Sequence, residues 1–94
     1  MELKQLQFFM ASAKSGSFRQ AARELYTTQP NVSKTVRALE EELHTTLLER
    51  NPRGVTLTEK GREVYEYARN MLPYASKIME IKERETEEED QGSL

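Results

Sequence analysis

The 94-residue chain contains no cysteine, and its single histidine is His44. Disulfide bonds and thiolate metal sites are therefore excluded. One imidazole without a second histidine or a cysteine provides neither a metal-ligand set nor a nucleophile–base pair. A glycine-rich phosphate loop is also missing. We therefore expect a protein that is not an enzyme and needs no metal or cofactor, and the lack of cysteine agrees with a cytoplasmic location.

Long hydrophobic runs are missing as well. Uninterrupted apolar stretches are only a few residues long and 32% of the residues are charged, so no membrane-spanning segment is expected. Residues 1–5 are mostly polar and begin an amphipathic pattern, which argues against a secretory signal. A chain of this length makes one small domain with a modest core, which favours further burial by oligomerisation.

The net charge of −2 is unevenly distributed along the chain. Residues 1–60 contain nine Lys and Arg against seven Asp and Glu, a balance of +2; residues 61–94 contain five against nine, a balance of −4. Salt screens charges that lie beyond about 8 Å at physiological ionic strength. The overall acidity therefore does not exclude DNA as a partner of the first part.

The stretch over residues 27–43 carries the clearest pattern in the chain. Thr28 is the predicted N-cap of a helix, and Pro30 falls in the first turn, where a missing N–H is harmless. The apolar residues are spaced four, three and four positions apart, which is one stripe of an α-helix: Val32, Val36, Leu39 and Leu43. We therefore predict a helix with one buried face.

The other face of this helix consists of hydrogen-bond donors, with no acid between residues 27 and 38. Gln, Asn, Lys and Arg side chains read base edges in a DNA major groove, while Ser, Thr and a helix N-terminus hold phosphates. The donors are Gln29, Asn31, Ser33, Lys34 and Arg37. Taken alone, this face fits an ordinary solvated surface equally well, so the flanking segments decide.

Two shorter helical patterns precede this stretch. Residues 2–14 have apolar residues at helical spacing, and they end before Gly16, which suits a left-handed helix C-cap. Ser17 and Gln20 have the spacing of a capping box and open a short second helix, whose inner alanines allow close packing. A short helix, a tight turn and a donor-rich helix predict a helix-turn-helix over residues 18–37. The alternative is a helical hairpin that contacts proteins.

The pattern changes after the donor-rich helix. Residues 46–57 contain two short segments of β-branched and apolar residues around the turn formers Asn-Pro-Arg-Gly, which predicts a β-hairpin wing. Arg53 would lie at the tip of the wing and Arg50 at its base, and both are expected to contact DNA chiefly through their charge. A tip arginine can enter a DNA minor groove or contact phosphates. The alternative is a loop arginine that faces only solvent.

A long helix is predicted over residues 59–86, followed by an acidic tail over residues 87–94. Pro73 predicts a local kink in this helix. The small head cannot cover the whole apolar stripe, so a second copy or a domain outside the chain is expected to pack on it. The stripe alternates spacings of three and four, as in a heptad seam, and the predicted dimer interface consists of Val64, Tyr67, Ala68, Met71, Tyr74, Ala75, Ile78 and Ile81.

Taken in order, these motifs resemble the N-terminal DNA-binding region of LysR-type transcriptional regulators over essentially the whole chain. The most specific motifs are Gly-Ser-Phe at residues 16–18, the two alanines at 21–22, Gln-Pro at 29–30 and Leu-Thr-Glu-Lys-Gly at 57–61. The resemblance implies a mostly α-helical fold, with a winged helix-turn-helix over residues 1–58 and a linker helix that pairs antiparallel in a homodimer. It also implies a bacterial regulator that reads an interrupted palindrome in double-stranded DNA.

The resemblance also implies particular contacts and partners. By motif position, Ser17 and Phe18 open the motif, and the DNA contacts of the family fall on Thr28, Gln29, Pro30, Ser33, Lys34, Arg37 and, on the wing, Arg53. In such proteins an effector domain follows and senses a small-molecule inducer, and the full-length protein works with RNA polymerase. Residues 92–94, Gly-Ser-Leu, resemble the start of that domain.

Three residues depart from the family pattern. His44 stands where the family usually has glycine, which implies a mildly strained left-handed residue or a different helix end. Leu48 replaces the usual phenylalanine and should leave a slightly smaller core. Lys34 stands where arginine is frequent in the family. Its ammonium group is a point charge and lacks the planar guanidinium that binds guanine with two hydrogen bonds.

A protein-interaction module is the main alternative function. The long apolar seam and the acidic tail would suit a short natural protein that forms mixed dimers with full-length regulators. Specific binding of the chain alone to duplex DNA would distinguish the DNA reader from this alternative.

Overall fold

The computed structural model describes the backbone of residues 1–92 and the side chains of residues 1–81. Within this part of the chain the elements follow in the order α1 (Leu3–Ser15), α2 (Phe18–Glu24), α3 (Gln29–Leu43), β1 (Leu48–Asn51), β2 (Gly54–Leu57) and α4 (Glu59–Gly92). The predicted fold class, three helices with a hairpin wing and a long following helix, is confirmed.

The turn between α1 and α2 is built as its residues predict. α1 ends at Gly16, whose φ of 72° is left-handed, and the Ser17 hydroxyl accepts a hydrogen bond from the Gln20 backbone N–H at 3.1 Å. The capping box is only half formed, because the Gln20 side chain turns along the helix and donates to Glu24 at 3.4 Å. One cap bond is therefore enough to start α2 here.

α3 begins and buries its inner face as predicted. The Thr28 hydroxyl accepts from the Asn31 backbone N–H at 3.3 Å, and Pro30 lies in the first turn. Three of the four apolar residues predicted for the inner face are fully buried in the core: Val32, Val36 and Leu39. Leu43 is 39% exposed, because it is the last residue of the helix and lies beyond the buried cluster.

The wing is a two-stranded antiparallel hairpin in which Leu48 faces Leu57 and Asn51 faces Gly54. It is held against the turn between α1 and α2, since the Val55 N–H donates to the Gly16 carbonyl at 2.9 Å. Gly54 has a φ of 141°, and a Cβ at this position would overlap the Gly16 carbonyl oxygen. Only glycine allows the two backbones to approach so closely.

The junction between the wing and α4 is fixed by Thr58, which directly precedes the helix predicted from residue 59. Its hydroxyl donates to the Thr46 carbonyl at 2.7 Å and accepts from the Gly61 backbone N–H at 2.9 Å. Its own N–H donates to the Leu47 carbonyl at 3.0 Å. These bonds close the hairpin at its base and fix the point where α4 leaves the wing.

α4 is one helix that continues through Pro73 and beyond residue 86 to Gly92. Much of the segment predicted as an acidic tail is therefore helical, in keeping with the high helix propensity of its glutamates. Residues 93–94 of that tail lie outside the described residues. No helix in the described part of the chain is long and apolar enough to cross a membrane.

Only the first turns of α4 pack on the head. Val64 is partly buried against the core, and Ala68 is 1% exposed. Ala68 was predicted as a dimer-interface residue, but it packs within its own chain and has almost no surface to offer a second one. The rest of the stripe is open to solvent, at Tyr67, Met71, Tyr74, Ile78 and Ile81.

Candidate nucleic-acid interface

Three elements of the head meet around one open groove of about 740 Å³. The start of α2, the start of α3 and the wing form its walls. The α3 N-terminus carries the partial positive charge of the helix dipole, which favours an anion. The structure brings seven of the predicted DNA-binding residues to this groove: Ser17, Phe18, Gln29, Pro30, Ser33, Arg50 and Arg53.

The groove is basic. Arg19, Arg50 and Arg53 line it, and its lining among the described residues contains no aspartate or glutamate. Guanidinium groups match the geometry of phosphate oxygens and remain charged at any physiological pH. The groove is therefore suited to a polyanion, although the chain as a whole has a net charge of −2.

Arg19 was not singled out by the sequence patterns. It lies exposed in the first turn of α2 and lines the groove. A cation in the first turn of a helix is unfavourable, because the helix dipole is positive there. An arginine at such a position is the signal that could have identified Arg19 as a candidate phosphate contact.

The exposed face of α3 continues the groove along the helix. Pro30 and Ser33 line both the groove and a second depression that also includes Lys34 and Arg37. Glu41 lies on the lining of this second depression. The donor face therefore covers residues 29 to 37, roughly two and a half helical turns.

Asn31 has a different place from the one predicted. Its side-chain amide donates to the Thr27 hydroxyl at 2.9 Å, its backbone N–H donates to Thr28, and the residue is half-buried. Asn31 therefore stabilises the start of α3 from within the turn and does not line the groove. The geometry gives no support to its predicted DNA contact, whereas Thr28 is exposed beside Gln29.

Phe18 lies at the groove but belongs to the core. Its side chain is 8% exposed and packs in the buried cluster of the head. The Arg50 guanidinium lies over the ring, with 5.0 Å between the guanidinium carbon and the ring centroid. Phe18 thus supports an arginine of the groove wall and presents little surface of its own.

The two arginines of the wing differ in their surroundings. Arg53 is exposed in the tip, where its backbone N–H donates to the Asn51 side chain at 2.9 Å. The Arg50 side chain donates to the Ser33 hydroxyl at 3.0 Å and lies 4.0 Å from the Glu40 carboxylate. Arg53 has the position predicted for a tip contact, whereas Arg50 is engaged with α2 and α3.

A helix-turn-helix whose second helix exposes donors, a wing beside it and a basic groove that joins them define the winged helix-turn-helix class of DNA-binding domains. In a helix-turn-helix the second helix enters the major groove with its N-terminal residues against base edges. Here that helix is α3.

Comparison with known proteins identifies the family. The family model described as "Bacterial regulatory helix-turn-helix protein, lysR family" matches residues 3–62. The chain belongs to the LysR family of bacterial regulatory helix-turn-helix proteins. The relatives are named as transcriptional regulators, in agreement with the expectation that the chain is not an enzyme.

Two curated relatives and one solved structure illustrate the similarity. The uncharacterized HTH-type transcriptional regulator YxjO of Bacillus subtilis (strain 168) is 50% identical over 72 residues, which cover 77% of this chain and 25% of the relative. The HTH-type transcriptional regulator ClcR of Pseudomonas putida is 37% identical over 94 residues, 100% of this chain and 32% of the relative. The chain thus spans about a quarter to a third of the length of these relatives.

The solved structure is the complex of the CbnR DNA-binding domain with DNA. It superimposes on the chain with a TM-score of 0.82 at 37% sequence identity. The match covers 89% of this chain and 97% of that one. The head and most of α4 therefore share their architecture with a domain that is seen bound to DNA.

Proposed function

We propose that the chain is the DNA-reading part of a dimeric regulator that recognises an interrupted palindrome in promoter DNA. In this proposal residues 1–58 form the reading head, residues 59–86 join two copies, and residues 87–94 lead to an effector domain. The observation that carries it is the groove, in which the start of α3 and the wing line one basic surface. The similar CbnR domain was solved in complex with DNA, which supports DNA as the partner of the head.

The start of α3 would enter the major groove. Gln29 and Lys34 are exposed there, and their polar atoms suit base edges or the phosphates next to them. Thr28, Pro30 and Ser33 lie beside them on the same turns of the helix. These residues would carry the sequence preference.

The remaining cations would act mainly on the sugar–phosphate backbone. Arg37 follows along α3, Arg19 lies at the start of α2, and Arg53 at the wing tip would reach a minor groove or phosphates. Their contribution is electrostatic and therefore depends on salt.

A homodimer through α4 would place two reading heads on two half-sites. The support is the row of large apolar side chains that α4 leaves exposed, including Tyr74 at 66% and Ile78 at 67%. A soluble monomer rarely leaves such a contiguous row open. An antiparallel pair of helices has the two-fold symmetry of a palindrome.

The other partners follow from family membership. We propose that the full-length protein acts in the bacterial cytoplasm, responds to a small-molecule inducer through its effector domain, and regulates RNA polymerase at the promoter. The DNA-binding part alone would then bind its operator without responding to the inducer.

A fluorescence-anisotropy titration tests the proposal. One probe is a palindromic duplex selected by the chain from a randomised pool, and the other is a scrambled duplex of the same composition. We expect a steep decrease in affinity with salt for both, with the selected duplex bound about 10³-fold more tightly. Equal, weak binding of both would contradict the proposal and favour the module that forms mixed dimers.

The variant Gln29→Ala extends the same titration to base reading. Loss of a base contact should weaken binding to the selected duplex by about 1–3 kcal/mol and relax the preference at one position. Gln7→Ala, an exposed glutamine of α1 outside the groove, is the matched control and should bind like the wild type. A uniform loss on both duplexes would mean that Gln29 only positions the helix.

A further inference from the structure

The Arg50 side chain joins the wing to both helices of the helix-turn-helix. Its guanidinium lies over the ring of Phe18 at the start of α2, with 5.0 Å to the ring centroid. One terminal nitrogen, Nη1, donates to the hydroxyl of Ser33 in α3 at 3.0 Å. One side chain from β1 therefore connects the wing to the helix that would enter the major groove.

Glu40 of α3 completes this arrangement. Its Oε1 lies 4.0 Å from Arg50 Nη2, and its Oε2 accepts from the backbone N–H groups of Leu47 at 2.7 Å and Leu48 at 3.1 Å. The Glu40 side chain is only 13% exposed. The carboxylate thus holds the chain as it enters β1 and at the same time offsets part of the positive charge of Arg50.

The contact with Arg50 also defines how Ser33 can bind DNA. A hydroxyl group has one donor hydrogen and two acceptor lone pairs. Arg50 occupies a lone pair of the Ser33 oxygen, and no acceptor among the described residues takes the Ser33 hydrogen. Ser33 lines the groove. Its hydroxyl hydrogen is therefore available to an acceptor in the groove, such as a phosphate oxygen or a purine N7.

We propose that Arg50 is a positioning residue for DNA recognition: it keeps the wing in register with α3 and makes Ser33 a hydrogen-bond donor to the operator. The inference rests on the proposed function and deepens it, because it assigns the site a specificity element that acts through Ser33. It replaces the direct electrostatic contact predicted for Arg50 from the sequence.

The variant Arg50→Lys tests this role because lysine keeps the charge but loses the planar fork that spans three partners. Affinity for the selected duplex should fall about tenfold or more, as expected when a charged hydrogen bond is lost. Affinity for the scrambled duplex and the salt dependence should change by less than about twofold. Arg53→Gln provides the contrast, since loss of a phosphate contact weakens both duplexes and reduces the salt slope by about one.

A double-mutant cycle with Ser33→Ala separates positioning from general stability. If Arg50 acts through Ser33, Arg50→Lys should have little further effect on the affinity for the selected duplex once the hydroxyl is gone. Independent, additive losses would overturn the inference. Retained specificity in Arg50→Lys, or equal weakening of both duplexes with a smaller salt slope, would also overturn it.

If Arg50→Lys fails to fold, Glu40→Gln gives an independent test. The change in DNA affinity has opposite signs for a phosphate-contacting Arg50 and for a positioning Arg50. If Arg50 contacted phosphates, freeing it from the carboxylate would strengthen binding to both duplexes. If it positions Ser33 and the wing, the selected duplex should be bound at least about threefold more weakly, with scrambled binding not weakened. A wild-type chain that does not prefer its selected duplex would contradict the proposed function itself, whereas a specific wild type with tighter-binding Glu40→Gln would contradict only this inference.

Discussion

Gly54 and Gly16 approach each other through their backbones, and this contact sets the distance between the wing and the helix-turn-helix. The wing N–H next to Gly54 donates to the Gly16 carbonyl. At Gly16 a Cβ would meet only the Val55 carbonyl oxygen at 3.8 Å, which is ordinary contact, whereas at Gly54 it would overlap the Gly16 oxygen. Both glycines have positive φ, but only Gly54 also lacks room for a methyl group.

Gly54→Ala should therefore destabilise the protein more than Gly16→Ala. Backbone strain alone costs about 1–2 kcal/mol at a left-handed position, and the overlap at Gly54 should raise the total to about 3 kcal/mol or more. Urea denaturation followed by circular dichroism measures both variants, and Gly16→Ala is the control for strain without overlap. Similar midpoints for the two variants would show that the wing can shift away at little cost.

The sequence predicted most residues of the candidate site but not their partners. The donor face of α3 follows from helical periodicity, which is why Gln29, Lys34 and Arg37 are exposed as expected. The engagement of Arg50 depends on a contact with Ser33, 17 residues away, which periodicity does not encode. The Asn31 amide could bond locally or face outward, and only the packed turn decides between these orientations.

At the scale of elements, the turn before the recognition helix α3 and the C-cap of that helix each contain a left-handed residue that is not glycine. Tyr26 precedes it with a φ of 55°, and His44 follows it with a φ of 54°. The exposed imidazole lies at the C-cap, and the backbone N–H of His44 donates to the carbonyl groups of Glu40 and Glu41 in the last turn of α3. The departure from glycine anticipated in the sequence is thus accommodated as a left-handed histidine.

His44→Gly should stabilise the protein relative to His44→Ala. The alanine variant keeps the Cβ that opposes a left-handed backbone, so the difference between the two isolates this strain from the loss of the imidazole. Relief of the left-handed strain is worth about 1–2 kcal/mol. Because glycine also gains freedom in the unfolded chain, the expected difference in the free energy of unfolding is about 0.5–1 kcal/mol. Urea midpoints measure it, and identical values would mean that the end of α3 relaxes when the side chain is shortened.

The elements themselves were largely predictable because their ends carry local signals. Gly16, Ser17, Thr28 and Thr58 each have the cap or turn role that their residue types suggest. The end of α4 was not predictable, because its acidic segment contains no glycine or proline before Gly92 to stop a helix. Exposure of Leu43 was missed because periodicity assigns a face but not the edge of the core.

The whole molecule measures 59 Å in its longest dimension and only 19 Å in its shortest, because α4 extends well beyond the head. The head supplies the core, and the far part of α4 has its apolar side chains in solvent. Tyr67, Met71, Tyr74 and Ile78 repeat at spacings of four and three, so they form one continuous row. Burial of this row is what a second copy would contribute.

Ile78→Glu should therefore convert the proposed dimer into a monomer. A carboxylate in the middle of a paired apolar seam would be desolvated without a partner, and the penalty exceeds what a single side-chain contact contributes. Sedimentation equilibrium measures the molecular mass, which should fall from that of two chains to that of one chain. Ser76→Glu adds the same charge to the exposed opposite side of α4 and should leave the dimer intact. An unchanged mass in Ile78→Glu would place the dimer contact elsewhere, whereas a monomeric wild type would contradict the proposed dimer itself.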